Sequence, residues 1–262
     1  MMKDLFSLKG RTAIVTGGSR GIGKMITQGF LEQGARVYIT ARKAPACDQA
    51  AEELSAFGEC ISLPHDLSTT EGVKALTDEF LSKEKNLDIL VNNAGAAWAA
   101  PFAEFPEDGW DKVMDLNVKS LFFITQSLYG ALKAAASAER PGKVINIASI
   151  DGLKINPWET YPYQASKAAV IHLTKRMAAR LIQDDICVSA IAPGAFASDM
   201  NKAARDAGDA VSKFVPAKRI GKAEDMAGVA VFLASKAGDY VVGDTVVVDG
   251  GVVHSQLGEA WG

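Results

Sequence analysis

Two side chains four residues apart, Tyr163 and Lys167, carry the chemistry most easily read from this sequence. On a helix, positions i and i+4 share one face. A free phenol titrates near about 10, too high for ready proton exchange at neutral pH, and a fixed ammonium beside it favours the phenolate. Lys167 is therefore expected to lower the pKa of Tyr163 and make it a usable acid. Ser149 closes the run Val144-Ile145-Asn146-Ile147-Ala148-Ser149. A hydroxyl at the carboxyl end of a strand, where α/β sheets bind their ligands, can hydrogen-bond an oxygen that is gaining negative charge. Together the three groups suit proton transfer to a carbonyl oxygen.

A second constellation lies near the start of the chain. The stretch Thr16-Gly17-Gly18-Ser19-Arg20-Gly21-Ile22-Gly23 follows a β-branched run and precedes a helical pattern with apolar residues at Met25, Ile26, Phe30 and Leu31. Glycines permit close backbone approach, and a helix start offers unpaired N–H groups with about half a positive charge, so the turn can cradle a pyrophosphate. The spacing departs from GxGxxG. About 20 residues on, NAD-binding proteins of this architecture carry a carboxylate for the ribose diol. This chain instead reads Ile39-Thr40-Ala41-Arg42-Lys43. Arg42 and Arg20 are expected to receive a 2′-phosphate, because a guanidinium fork matches phosphate oxygens. NADP(H) is the expected cofactor, with NAD(H) as the second choice.

Elements must hold these groups in place. Residues 12–16, 36–40, 60–63, 87–92, 143–148, 187–192 and 245–249 read as strands. Several are apolar without alternation, such as Ala13-Ile14-Val15 and Val246-Val247-Val248, which is the pattern of strands buried on both faces of a parallel sheet. Helices are predicted at residues 21–33, 48–56, 69–83, 118–136, 163–183 and 223–234. The βαβ rhythm argues a three-layer, doubly wound α/β fold with right-handed crossovers. The chain is expected to form one domain over residues 1–262, with cofactor contacts mainly in 10–120 and catalytic and substrate elements mainly in 140–215. Residues 195–212 break the rhythm and are expected to form a mobile segment near the strand ends. Residues 252–262 are read as a loose tail or a subunit contact.

Composition narrows the function classes. Hydrophobic residues make up 48% of the 262 and charged residues 23%, far from the profile of a disordered chain. With 28 basic and 31 acidic residues the net charge is −3, so no global positive field draws the protein to nucleic acid or to anionic lipid. Three scattered cysteines, Cys47, Cys60 and Cys187, suggest neither a disulfide framework nor a thiolate metal site, and a reducing cytoplasm fits them. His65, His172 and His254 are equally dispersed, and no metal centre is expected. The first eleven residues lack the apolar stretch of a signal peptide, and no stretch is long and apolar enough for a membrane span.

Taken in order, Thr16-Gly17-xxx-Gly21-x-Gly23, Asn92-Asn93-Ala94-Gly95, Asn117, Ser149, Tyr163-xxx-Lys167 and Pro193-Gly194 resemble the pattern of the short-chain dehydrogenases/reductases. The resemblance spans nearly the whole chain. It implies a seven-stranded Rossmann sheet, a nicotinamide cofactor and a tetrad of Asn117, Ser149, Tyr163 and Lys167, with Asn117 supporting a water that links Lys167 to solvent. The sequence is most similar to the bacterial 3-oxoacyl reductases of that family. Among the cofactor contacts it implies, Gly17, Ser19, Arg20, Gly21, Ile22 and Gly23 form the phosphate turn, and Asp66 receives the adenine amino group with Leu67 beside it. Asn93, Ala94 and Gly95 line the ribose, and Tyr163 and Lys167 complete that side. Pro193 and Gly194 start the loop over the nicotinamide, and Ser198 stands where a threonine is more usual. The interval from Ser149 to Tyr163 is 14 residues, one more than is commonest in the family.

The expected activity is NADPH-dependent reduction of a ketone, with a 3-oxoacyl thioester as the family-level substrate. A sugar, polyol or secondary-alcohol dehydrogenase is the alternative, and a dinucleotide-binding sensor without catalysis is a third. Trp98, Phe102, Trp158, Phe196 and Met200 are expected to wall an apolar substrate pocket, with Phe196 and Met200 on a segment that closes as a lid. The resemblance implies a homotetramer, with the helices at 118–136 and 163–183 forming one contact face and the last strand another.

Overall fold

The computed structural model describes residues 4–198 and 200–255. The last seven positions of the expected tail lie outside the described residues. Seven parallel strands form one sheet in the order β3-β2-β1-β4-β5-β6-β7: β1 (Thr12–Thr16), β2 (Arg36–Thr40), β3 (Cys60–Ser62), β4 (Ile89–Asn92), β5 (Gly142–Ile147), β6 (Ile186–Pro193) and β7 (Thr245–Val248). The expected three-layer, doubly wound α/β fold is present. Strand order reverses between β1 and β4, which leaves a crevice beyond their carboxyl ends where ligands settle in such sheets.

Alternate residues of the strands feed two apolar layers. Ala13 and Val15 of β1 pack on one face with Ile26 and Phe30 of helix α1 (Gly21–Glu32), Cys47 and Leu54 of α2 (Ala44–Leu54), and Met226 and Leu233 of α9 (Ala223–Ala234). Ile14 points the other way, into a layer built by Leu76 and Phe80 of α3 (Thr70–Lys83), Ile124 and Leu128 of α5 (Ser120–Ala135), and Val170 and Met177 of α6 (Tyr161–Leu181). Each fully buried Ile, Leu or Phe contributes about 2–3 kcal/mol of transfer free energy. α1 approaches α9 closely because Gly29 has no side chain; a Cβ there would stand 2.7 Å from Ala227 Cβ.

Two segments depart from expectation. Helix α4 (Glu107–Met114) was not anticipated, and it runs through a widened π turn at Asp115–Lys119 directly into α5. Residues 195–212, where no regular element was expected, hold two short helices, α7 (Lys202–Asp206) and α8 (Gly208–Ser212). Phe196 bridges to Gly221, whose N–H donates to Ala195 O at 2.8 Å. Among the described residues no helix is long and apolar enough to cross a membrane.

Candidate active site

β1 ends at Thr16 and the chain turns at once toward α1. Gly17 takes φ 65° and Gly21 φ 52°, in the left-handed region that side chains avoid. Gly23 lacks room for any side chain, since a Cβ would meet Gly17 O at 2.3 Å and Asn93 Nδ2 at 2.5 Å. Arg20 takes the N-cap position but its side chain does not cap the helix, and the first turn of α1 carries no acid. The opening N–H groups of α1 are therefore left for an acceptor from elsewhere, and the positive end of the helix favours an anion. The backbone at Gly17–Gly23 fits a pyrophosphate.

Loops from distant parts of the chain close on this turn. Thr16 Oγ1 accepts the N–H groups of Asn93 at 2.8 Å and Ala94 at 2.9 Å, and donates to Val91 O at 3.2 Å. Asn93 Nδ2 donates to Thr16 O at 2.8 Å and to Gly17 O at 3.2 Å. The loop after β4 is thereby stitched to the loop after β1, across the crevice. Ser198 arrives from a third loop: a Cβ on Gly21 would stand 3.1 Å from Ser198 Cβ. That loop leaves β6 at Pro193, and Gly194 N donates to Val248 O at 2.9 Å. Arg42 lies exposed two residues beyond Thr40, which pairs with Thr16 in the sheet, so it shares an edge with the glycine turn. Among the described residues Arg42 makes no ion pair. Asp66 is exposed, with Oδ1 accepting from Ser68 N at 3.0 Å, and Leu67 beside it is buried.

Asn117 sits inside the π turn, a distortion that often marks functional positions. Its Oδ1 accepts from Ala96 N at 2.8 Å, and its Nδ2 donates to Ala96 O at 3.0 Å and Ser166 Oγ at 2.9 Å. Ser166 Oγ in turn donates to Tyr163 O at 2.7 Å. The amide thus locks the loop after β4 to the start of α6. These contacts use its side chain, so the expected water would have to be held by another atom.

Ser149, Tyr163 and Lys167 come together beyond the carboxyl end of β5. Lys167 Nζ donates to Ile147 O at 2.7 Å and stands 5.6 Å from the centre of the Tyr163 ring. A hydrogen bond from the Ser149 hydroxyl draws the Tyr163 pKa down, but burial outweighs it and pushes the phenol up to about 12. Burial also brings Lys167 down to about 8, against the raising effect of the Asp151 carboxylate. The phenol is therefore raised rather than lowered as expected, because loss of water outweighs the help of its neighbours, and the Lys167 amine is turned to the Ile147 carbonyl.

A family model described as Enoyl-(Acyl carrier protein) reductase matches residues 17–253. The chain belongs to the short-chain dehydrogenase/reductase family. Within it, the chain is 47% identical over 253 residues to the rhamnolipids biosynthesis 3-oxoacyl-[acyl-carrier-protein] reductase of Pseudomonas aeruginosa, covering 95% of this chain and 99% of that one. It is 36% identical to gluconate 5-dehydrogenase of Gluconobacter oxydans, over 96% of this chain and 98% of the relative. Among solved structures of short-chain dehydrogenases/reductases, the Pseudomonas aeruginosa RhlG/NADP active-site complex superposes with a TM-score of 0.93 at 46% identity, over 96% of this chain and 100% of that one.

The expected apolar wall is only partly assembled. Phe196 is 2% exposed and packs in the core over Gly221, so it does not serve as a lid surface. Trp98 lies flat on α4, where Gly109 leaves room for its ring and Lys112 Nζ stands 4.9 Å from its centre. Trp158 and Met200 are exposed. Phe102, also expected in that wall, lines a cleft of about 490 Å³ with Phe105, Pro106, Glu107, Trp110 and Tyr161. Glu159 fastens its rim: Oε1 accepts from Phe102 N at 3.1 Å and from the Tyr161 hydroxyl at 2.8 Å, and its carbonyl accepts from Ala100 N at 3.3 Å. Sequence reasoning missed Glu159, Thr16 and Ser166. Only Thr16 carried a visible signal, a hydroxyl directly before the glycines.

Proposed function

We propose that this short-chain dehydrogenase/reductase is an NADPH-dependent carbonyl reductase whose substrate is a 3-oxoacyl thioester or a similar ketone. The observation that carries the reading is a Ser149–Tyr163–Lys167 cluster beside an uncapped, glycine-lined helix start. The backbone of Gly17–Gly23 would hold the pyrophosphate, Arg42 and Arg20 the 2′-phosphate, and Asp66 and the loop at 93–95 the adenosine. When bound, NADPH supplies hydride.

The side chains of this protein supply position and a proton. Ser149 donates to the substrate carbonyl oxygen and holds it against Tyr163. With its pKa raised to about 12, Tyr163 keeps its proton at neutral pH, and it releases that proton as negative charge develops on the oxygen. Lys167, mostly ammonium at pH 7, stabilises the phenolate left behind and donates to Ile147 O. Asn117 positions α6 through Ser166. A phenol protonated at rest is matched to reduction more directly than to oxidation.

Replacing Tyr163 with Phe is expected to lower turnover of acetoacetyl thioesters by two to four orders of magnitude while NADPH still binds. Steady-state kinetics with fluorescence titration of NADPH checks this, and near-normal turnover refutes the assignment. The second reading, a sugar or polyol dehydrogenase, is favoured by the likeness to gluconate 5-dehydrogenase and by the same tetrad serving both directions. The assembly proposed is a cytoplasmic homotetramer, with α5 and α6 forming one contact face and β7 another.

A further inference from the structure

The turn that follows Ser149 carries a carboxylate which the tetrad does not use. Asp151 lies in a single 3-10 turn, Ile150–Gly152, and its N–H donates to Ser149 Oγ at 3.1 Å. The next residue, Gly152, is pressed against α6 at the catalytic lysine: a Cβ there would stand 2.6 Å from the Lys167 carbonyl carbon and 2.8 Å from Ala168 N. Asp151 is thus held between the oxygen-binding serine and the helix that carries Tyr163 and Lys167. Its carboxylate is hydrogen-bonded by Asn156, whose Oδ1 accepts from Trp158 N at 2.8 Å and from Gln164 Nε2 at 3.4 Å. The network fixes the acid and ties it to the residue beside Tyr163. Its charge reaches both partners, raising the pKa of the phenol and of the amine.

We infer that Asp151 is a specificity-determining residue that makes the site select ketones lacking a negative charge near the carbonyl and reject keto acids. This rests on the carbonyl-reductase reading above and sharpens it, because a 3-oxoacyl thioester carries no charge beside its ketone whereas the corresponding free 3-keto acid does. Asp151 is only partly exposed. Half-buried like charges interact strongly there, since bulk water screens them little. Burial does raise the Asp151 carboxyl above the usual carboxylate range, but Asn156 and Lys167 oppose that rise and favour its charged form.

The test uses ethyl acetoacetate and acetoacetate, which share one ketone and differ in charge, with NADPH oxidation as the readout on the full chain. The wild-type protein is expected to prefer the ester by at least tenfold in kcat/KM. In Asp151→Asn, which keeps shape and hydrogen bonding, that preference is expected to shrink at least tenfold, through a lower KM for the acid. Asp151→Ser should act in the same direction, which separates charge from amide-specific effects. A folded Asp151→Asn protein whose ester-to-acid ratio stays within twofold of wild type overturns the inference alone, as does a wild-type protein that reduces both compounds equally. Absence of any ketone-dependent NADPH oxidation overturns the carbonyl-reductase reading and the selectivity with it.

Discussion

Burying a lysine against a backbone carbonyl costs the fold something that catalysis needs. Lys167 is held near pKa 8 rather than 10.5. A group whose folded pKa is depressed below its unfolded value in this way, being a base, destabilises the protein while it is charged. That cost is fully present below about pH 8 and fades as pH rises through 10.5, above which the amine is neutral in both states. Lys167→Met is therefore expected to stabilise the protein by about 1–3 kcal/mol at pH 7, and less near pH 10, while abolishing reduction. Thermal melts at the two pH values check this, and a less stable variant refutes it. The same group sets the pH profile: reduction should slow as pH rises past about 8 and the ammonium is lost. Arg42, exposed at the mouth of the glycine turn, governs cofactor choice in a different way. Arg42→Asp should lower the NADPH-to-NADH ratio of kcat/KM at least tenfold, and an unchanged ratio removes Arg42 from the proposal.

At the scale of elements, the loops after β1 and β4 depend on one hydroxyl. Thr16→Val would strand the Asn93 and Ala94 N–H groups, costing about 2–3 kcal/mol in urea unfolding, and would raise the KM for NADPH. An unchanged unfolding midpoint refutes the role. This hub illustrates what the sequence could and could not convey. Strands announce themselves because buried parallel strands are continuous apolar runs, and β1 and β2 fall on the expected residues. Helix α4 gave too short a sign: Trp110, Val113 and Met114 share one face, but the helix has only eight residues and buries only Gly109 and Val113. The π turn then spoils the 3.6-residue period, which is why the helix was expected to start at 118 rather than 107. Tyr163 and Lys167 were legible because a helix fixes their spacing. Glu159, Asp151 and Ser166 act through contacts made by the folded chain, and no local pattern encodes those. Phe196 was misplaced because an aromatic near strand ends reads the same whether it faces a cleft or the core.

For the whole molecule, apolar surface remains on the helices proposed to join subunits. Phe122 and Phe123 of α5 are both partly exposed, with ring centres 5.4 Å apart at 83°. Trp110 and Tyr161 are exposed on α4 and α6. Exposed aromatics at this density mark association surfaces. Phe122→Glu combined with Phe123→Lys is expected to shift a tetramer to dimer or monomer in light scattering at micromolar concentration. A wild-type monomer, or a variant with undiminished mass, overturns the assembly.

The widened turn at Asp115–Lys119 has a further implication for how this protein tolerates insertions and deletions. Each residue of a regular helix advances the direction of its side chains by about 100°. A single widened turn accommodates one extra residue inside an otherwise regular helix, so removing one amino acid there would let α4 and α5 join with Leu121, Ile124 and Leu128 still in the layer they share with Leu76 and Phe80, but would swing Asn117 away from Ala96. Along this long rod the chain length is itself information, as binding as the identity of any side chain.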